Sequence, residues 1–495
     1  MVKMVGFEKS SLTPSFRVFK EDGLDAIHWA SLAVLERTGI RILHGERVLK
    51  LLKENGCNVD FEKELVLFPS YLVEEAIKKT AKPVMWYGRN PKHDCKLDGR
   101  HIYFTTDTET TSTVDLQTGE WRPSTKEDLE KLTRATDALE SYAAGGHLTT
   151  CLDKPANTRC LHDYATVLNS TEKPCGWSVY PPDLASQLTD YQLEIATAVA
   201  GSEKKMRQRP LGEGGFCTES PLKFEGQYVE TTLRLAKLGF PCWVASMPLG
   251  GATAPVTLAG SLVMTNAEIL GGLSTIQLLC PGTSIRVDYL MGSLDMKTGL
   301  WGEGPEESLL CAGAVEMARY YGLCVVVNGF LSSAKASGAQ ASYEKVMSSV
   351  LPVLAGADVV YGAGSLNGGL AASFEELVID DEICRALLKL VQGIEVTDET
   401  LALDVIQKVG PGGHYLAEKH TLHHFKKEHF FPKLADRSSY DAWKKAGGKR
   451  IIKRAREKVE ELLKEHWPTP LDKDIQKEIS EIIRRAEKEL PKSES

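Results

Sequence analysis

Short apolar runs recur through the middle of the chain, separated by longer stretches patterned as helices. The runs are Ile102 to Thr106, Tyr142 to Thr149, Pro174 to Tyr180, Leu211 to Cys217, Pro241 to Met247, Ser284 to Tyr289, Cys324 to Phe330 and Asp358 to Tyr361. The stretches between them place apolar residues at helical spacing, as in Lys126 to Leu139, Pro182 to Ala200, Tyr228 to Leu238, Pro255 to Leu279, Glu306 to Gly322 and Ser342 to Ala355. Strands alternating with helices predict βα units around a parallel sheet. Eight such units predict an α/β chain closed into a (β/α)8 TIM barrel over residues 101–372. A doubly wound open sheet is the alternative.

The flanks read differently. Residues 1–100 predict an N-terminal helical cap with small β elements. Its helices are Asp22 to Thr38, Glu46 to Glu54 and Pro69 to Thr80, with β-prone pieces at Leu65 to Phe68 and Val84 to Tyr87. Asp94 to Asp107 predicts a hairpin turning at Asp98-Gly99. Residues 373–495 predict a helical extension, broken at Gly410-Pro411-Gly412-Gly413. Two charged helices close it. One carries the stripe Ile451, Ile452, Ala455, Val459, Leu462 and Leu463, the other Ile475, Ile479, Ile482, Ile483, Ala486 and Leu490. Such narrow stripes pack on the barrel or on a second subunit, and a homo-oligomer is the expectation.

Composition adds exclusions. Apolar residues are 42% and charged residues 25%, as in an ordinary globular protein. The 11 cysteines are scattered without a CxxC pair, which predicts reduced thiols in a cytoplasmic setting. Met1 to Arg17 lacks the pattern of a signal peptide, and the apolar runs are too short or too interrupted to predict a membrane span. A net charge of −8 argues against a nucleic-acid partner.

A barrel's active site lies at the C-terminal ends of its strands. That rule selects Asp107, Glu109, His147, Trp177, Tyr180, Glu213, Glu219, Met247, Asp288, Tyr289, Asn328, Phe330 and Tyr361. Aromatic faces with nearby carboxylates suit an organic cation, above all a quaternary ammonium, which has no N–H to donate. Trp177, Tyr180, Tyr289, Phe330 and Tyr361 are therefore the candidate substrate-binding residues, with Glu213 and His147 as catalytic candidates. The plainer reading is that these aromatics pack against loops. Gly362 to Gly369 approaches a dinucleotide fingerprint, but Asn367 takes the third glycine position and no βαβ unit follows, so a pocket wall or a seat for a phosphate-bearing cofactor tail is expected. Among His414, His420, His423, His424 and His429, His420 and His424 stand at i,i+4 near Glu418. The sequence is not HExxH and no cysteine joins them, so a polar elbow joining barrel and tail is expected and no metal. No nucleophile–base arrangement stands out, and no tightly bound cofactor is predicted.

Several segments resemble one known family. They are Leu168 to Pro174, Glu219-Ser-Pro-Leu222, Met247-Pro-Leu-Gly-Gly-Ala-Thr-Ala-Pro-Val-Thr-Leu-Ala-Gly260, Asn266-Ala-Glu268, Ala339 to Lys345, and the tail from Gly412 through Asp436-Arg437 to Tyr440-Asp-Ala-Trp443. They resemble the trimethylamine methyltransferase family, in order and across nearly the whole chain. The resemblance implies a (β/α)8 barrel passing a methyl group from a methylated amine to the cobalt(I) of a corrinoid (cobalamin) carried by a separate corrinoid protein. Archaeal trimethylamine enzymes of the family carry pyrrolysine, expected here around Leu331 to Lys335, whereas this chain shows only standard residues. A quaternary ammonium leaves as a neutral amine and needs no such activation. The resemblance therefore implies glycine betaine or a related betaine as substrate. The alternatives are trimethylamine, with Lys335 or a neighbour modified, and a non-catalytic betaine-binding protein.

Overall fold

The computed structural model describes residues 6–491 apart from Ser11, Leu12 and Val179, and the Glu21 side chain is likewise outside the description. The chain is mixed α/β. Seven parallel strands form its centre: β1 (His101–Thr106), β2 (Tyr142–Ala144), β3 (Gly214–Cys217), β4 (Cys242–Ser246), β5 (Ile285–Tyr289), β6 (Cys324–Asn328) and β7 (Val359–Ala363). Their spatial order is β2-β1-β7-β6-β5-β4-β3, and every adjacent pair is parallel. The five residues of β6, Cys-Val-Val-Val-Asn, are all buried, as strands covered on both faces must be.

Between the strands run helices with readable ends. Thr125 and Asp128 form a reciprocal capping box at the start of Lys126–Ala138, and Pro305 opens Pro305–Tyr320 where its missing N–H costs nothing. Helix Ala339–Ala355 stops at Gly356 in the left-handed conformation. Leu258–Leu279 is mostly apolar and long enough to cross a membrane, yet most of it is buried in the fold. It packs against helix Glu21–Arg37 on one side and β4 and β5 on the other.

Several local expectations change. Pro174 to Tyr180 forms no strand ladder among the described residues, although the Gly145 N–H donates to the Pro174 carbonyl at 2.9 Å. The expected hairpin at Asp98-Gly99 is absent. Cys95–Leu97 pairs antiparallel with Val84–Trp86, whereas the next strand, β1, joins the parallel sheet. The N-terminal piece Ile40–Leu43 pairs in parallel with Lys223–Glu225, which ties the first hundred residues to the centre. The tail stripes are satisfied within the chain. Ala455 and Val459 are buried on a helix (Ile451–Glu465) that packs on Phe374–Val391 and Lys126–Ala138. Ile479, Ile482, Ile483 and Ala486 are buried on Lys473–Glu489, against Ala185–Ala200.

Candidate active site

A cavity of about 700 Å3, within the range of small-molecule sites, reaches from the C-terminal ends of the parallel strands, at Asp107, His147 and Met247, into the sheet. It extends down to Trp243 and Arg286 near the starts of β4 and β5 and to Glu213, which precedes β3 and so is not at the strand's C-terminal end as expected. In its wall, β5 alternates. Arg286 and Asp288 point into the cavity while Ile285, Val287 and Tyr289 pack away from it, as the period of a strand requires. The Arg286 guanidinium binds Glu213 from Nε at 3.1 and 3.2 Å and from Nη2 at 2.9 Å, and its Nη1 donates to Asp288. Trp86 Nε1 donates to the same Glu213 at 2.8 Å. The guanidinium also lies over the rings of Trp86 and Trp243, 5.2 and 5.7 Å from their centres. Glycine makes this possible, because a Cβ at Gly215 would sit 2.2 Å from the Trp243 ring.

Burial pushes the Asp288 carboxyl up to about 6, although the charge of Arg286 opposes the rise. Its Oδ1 is buried and has no partner. Asp107, just past β1, is similar. Burial raises its pKa against the opposing hydrogen bonds of Ser365, Tyr361 and the Thr108 N–H, the last of which binds Oδ1 at 2.9 Å. Gly369 holds a left-handed φ of +83° against it, where a Cβ would come within 2.9 Å of its Oδ2.

A second polar group gathers on Glu109. Ser178 Oγ and the Tyr180 hydroxyl both donate to it, and His147 Nε2 lies 3.0 Å from its Oε1 and 3.0 Å from Ser178 Oγ. Burial alone would lower the His147 pKa, but the bond and charge of Glu109 outweigh it and hold the imidazole above its ordinary value.

The structure brings together five of the seven candidates: Glu213, His147, Trp177, Tyr180 and Tyr361 all line the cavity. Trp177 is also a core ring, stacked on Phe240 at 5.5 Å and edge-on to Tyr164 at 5.3 Å. Tyr361 lies beside Thr108, 3.0 Å from its Oγ1. Tyr289 and Phe330 are not brought to the wall. Tyr289 is fully buried and donates to Asn266 Oδ1 at 2.7 Å, and Phe330 packs edge-on to Phe104 at 5.7 Å. Trp86, Trp243 and Arg286 were not anticipated, although inward alternation along β4 and β5 would have found the last two. In the segment 331–335, Leu331 lines the cavity, whereas Lys335 is exposed and donates to the Ser333 carbonyl at 2.5 Å.

Two of the sequence segments meet beneath the cavity. The Glu268 carboxylate accepts from Thr218 Oγ1 at 2.7 Å, Ser220 Oγ at 2.8 Å, Leu222 N–H at 2.6 Å and Ser246 Oγ at 2.5 Å. It thereby ties the ends of β3 and β4 to helix Leu258–Leu279.

The family model for trimethylamine methyltransferase (MTTB) matches residues 6–491. The chain belongs to the trimethylamine methyltransferase family. It is 35% identical to trimethylamine methyltransferase MttB of Desulfitobacterium hafniense, over 95% of this chain and 94% of that one. It is 34% identical to MttB of Methanosarcina barkeri, over 95% of each. The glycine betaine methyltransferase of Desulfitobacterium hafniense is 29% identical, over 97% of this chain and 99% of that one. Among solved structures, monomethylamine methyltransferase (MtmB) of Methanosarcina barkeri superposes with a TM-score of 0.47 at 11% identity, covering 90% of this chain and 89% of that one. The family assignment makes the protein a methyltransferase acting on methylated amines.

Proposed function

We propose that the cavity binds a quaternary ammonium ion and presents one of its methyl groups to the cobalt(I) of a corrinoid carried by a separate protein. The observation that carries this reading is the wall itself, where carboxylates and the aromatic residues Trp177, Tyr180 and Tyr361 line a space large enough for a small amine, with Trp86 and Trp243 beside the Arg286 guanidinium. Family membership supplies the reaction. When the corrinoid protein docks, its cobalt(I) supplies the electron pair for the new carbon–cobalt bond. The carbon–nitrogen pair returns to nitrogen, so a neutral tertiary amine departs with no proton required.

The chain's own residues bind and orient. A carboxylate near the ammonium stabilises the bound cation more than the transition state, in which that charge is fading, so binding charge alone gives no acceleration. Orientation of the methyl and exclusion of water supply the rate. Glu213 and His147 belong to this positioning framework through Arg286 and Glu109. The test is to supply quaternary amines with a cobalt(I) corrinoid protein and follow loss of the cobalt(I) spectrum. No methyl transfer from any quaternary amine would end this reading.

The seven strands, with residues 174–178 in the eighth position, would close a (β/α)8 barrel over 101–372, flanked by the 1–100 cap and the 373–495 extension. The gap in strand order falls between β2 and β3, where residues 174–178 run beside β2 through the Gly145–Pro174 bond. A cytoplasmic setting accords with eleven free thiols. One observation favours trimethylamine as a second reading: the relatives named for it are more similar to this chain than the glycine betaine enzyme. That reading requires a modified lysine, and the mass of natively expressed protein tests it at Lys335.

The homo-oligomer expectation now rests on residues 393–430 instead of the tail stripes. Helices Asp398–Leu401, Leu403–Val409 and Lys419–Glu428 bury no residue, and Ile394, Val396, Leu401, Leu403, Leu416 and Leu422 are each more than half exposed. Such short helices are not stable without packing. Helix Phe374–Val391 meets Ser141, just before β2, through Asp381, so the arm emerges at the end of the sheet opposite the cavity. A second copy of the chain fits there better than the methyl acceptor. Light scattering of the protein, alone and with Leu416→Asp and Leu422→Asp, tests this. A wild-type monomer would contradict it.

A further inference from the structure

The cavity carries more negative charge than a bound ammonium needs. Asp107, Glu109, Glu213, Glu219 and Asp288 all line it. Among the described lining residues the basic groups are Arg286 and His147, and no lysine is present. Both basic groups are committed. Arg286 is divided between Glu213 and Asp288, and the His147 Nε2 faces Glu109 and Ser178 while its Nδ1 is buried without a partner. The acceptors, by contrast, are in excess. Asp288 Oδ1 belongs to a side chain more than nine-tenths buried, lines the cavity and receives no hydrogen bond. Asp107, equally buried in the lining, is met by the Thr108 N–H and the neutral hydroxyls of Ser365 and Tyr361 but by no cation within hydrogen-bond distance. Buried carboxylate oxygens without donors are costly, and a cation is what relieves them.

We propose that the cavity admits the quaternary ammonium head of its substrate with no carboxylate beside it. This rests on the function proposed above and narrows its substrate class. In a compact betaine such as glycine betaine the carboxylate is one methylene from the ammonium nitrogen, so it must enter with the head. Inside, it meets like charge on several sides and no uncommitted cation, an arrangement that excludes a ligand more strongly than the same contacts at a surface. A simple tetraalkylammonium, a quaternary ammonium alcohol, or a betaine whose arm is long enough to leave its carboxylate in solvent meets no such barrier. Glu109 and Tyr180, near the opening, then face the non-reacting arm.

The test uses the full chain and ligands that separate charge from shape. Calorimetry at pH 8 compares glycine betaine with its isosteric amide, in which the carboxylate becomes a neutral carboxamide, and with tetramethylammonium. Binding needs no corrinoid, so the readout is independent of methyl transfer. The amide is expected to bind at least about 10-fold more tightly than glycine betaine, with tetramethylammonium also binding. Glycine betaine binding as tightly as the amide, or more tightly, would overturn the exclusion of a carboxylate and leave the quaternary ammonium reading standing. Failure of all three ligands, and of a longer-armed betaine beside them, would overturn both.

Discussion

Replacing Glu268, a buried carboxylate outside the cavity lining, separates a structural carboxylate from those that line the cavity. Three of its four donors, Thr218, Ser220 and Ser246, point at Oε2, while the Leu222 N–H points at Oε1. Glu268→Ala removes every acceptor. It leaves a backbone N–H and three hydroxyls short of a partner in a buried place, and it opens a void in the packed helix Leu258–Leu279. Hydrogen bonds to a charged group contribute about 1.5–3 kcal/mol each, and hydroxyls can rotate to recover part of the loss, so the net cost is about 4 kcal/mol. Glu268→Gln differs in a specific way. Its carbonyl oxygen can keep the Leu222 N–H, and its amide N–H groups can donate to hydroxyls that turn to accept. The cost then falls to about 1–2 kcal/mol. Urea unfolding followed by circular dichroism gives the two midpoints against wild type. Equal losses for Ala and Gln, or a loss below about 1 kcal/mol for Ala, would refute the account of Glu268 as the acceptor that joins β3, β4 and the helix.

Ammonium binding should depend on pH through Asp288. Burial, helped by the facing charge of Glu213, holds this acid near 6 against the charge and hydrogen bond of Arg286, and a bound cation favours its ionised form. Affinity is therefore full above about pH 7 and weakens as pH falls through 6, by up to about 10-fold per unit for one linked proton. Calorimetry of tetramethylammonium from pH 5 to 8 checks this, and a flat profile would contradict it. In Glu109→Gln the His147 imidazole loses the charge that holds its pKa up. Burial should then carry that pKa below its ordinary value, read by NMR of nitrogen-labelled histidine, and an unchanged titration would contradict the assigned pairing. Lys345 is wholly buried between Asp380, at 2.6 Å, and Glu376, at 3.1 Å. Lys345→Met should cost about 3–5 kcal/mol by stranding two carboxyls, and the triple variant with Glu376→Gln and Asp380→Asn should recover much of it.

Helices were legible because their ends carry local chemistry, such as the Thr125–Asp128 box, Pro305 and Gly356. Strand lengths were less so. Tyr142 to Thr149 reads as one apolar run, but the strand ends at Ala144, and after Gly145 and Gly146 the chain pairs only locally with residues 109–110, which sets His147 beside Glu109. The candidate site was legible as a region and uneven in detail. Asp288 and Tyr289 were both chosen from the end of β5, yet neighbours on a strand face opposite ways, and the acid took the cavity. Phe330 shares the parity of Asn328, but a left-handed φ of 53° turns it back into the core. The pairing of Arg286 with Glu213 joins residues far apart in sequence, and no local pattern announces it.

The most direct measurement follows cobalt(I) in the host's corrinoid proteins when the full chain is added with a quaternary ammonium ion. The account predicts conversion to methylcobalt, with one equivalent of tertiary amine released per methyl transferred and no transfer when the chain is omitted. Folded protein that leaves cobalt(I) unchanged with every quaternary ammonium supplied would contradict it.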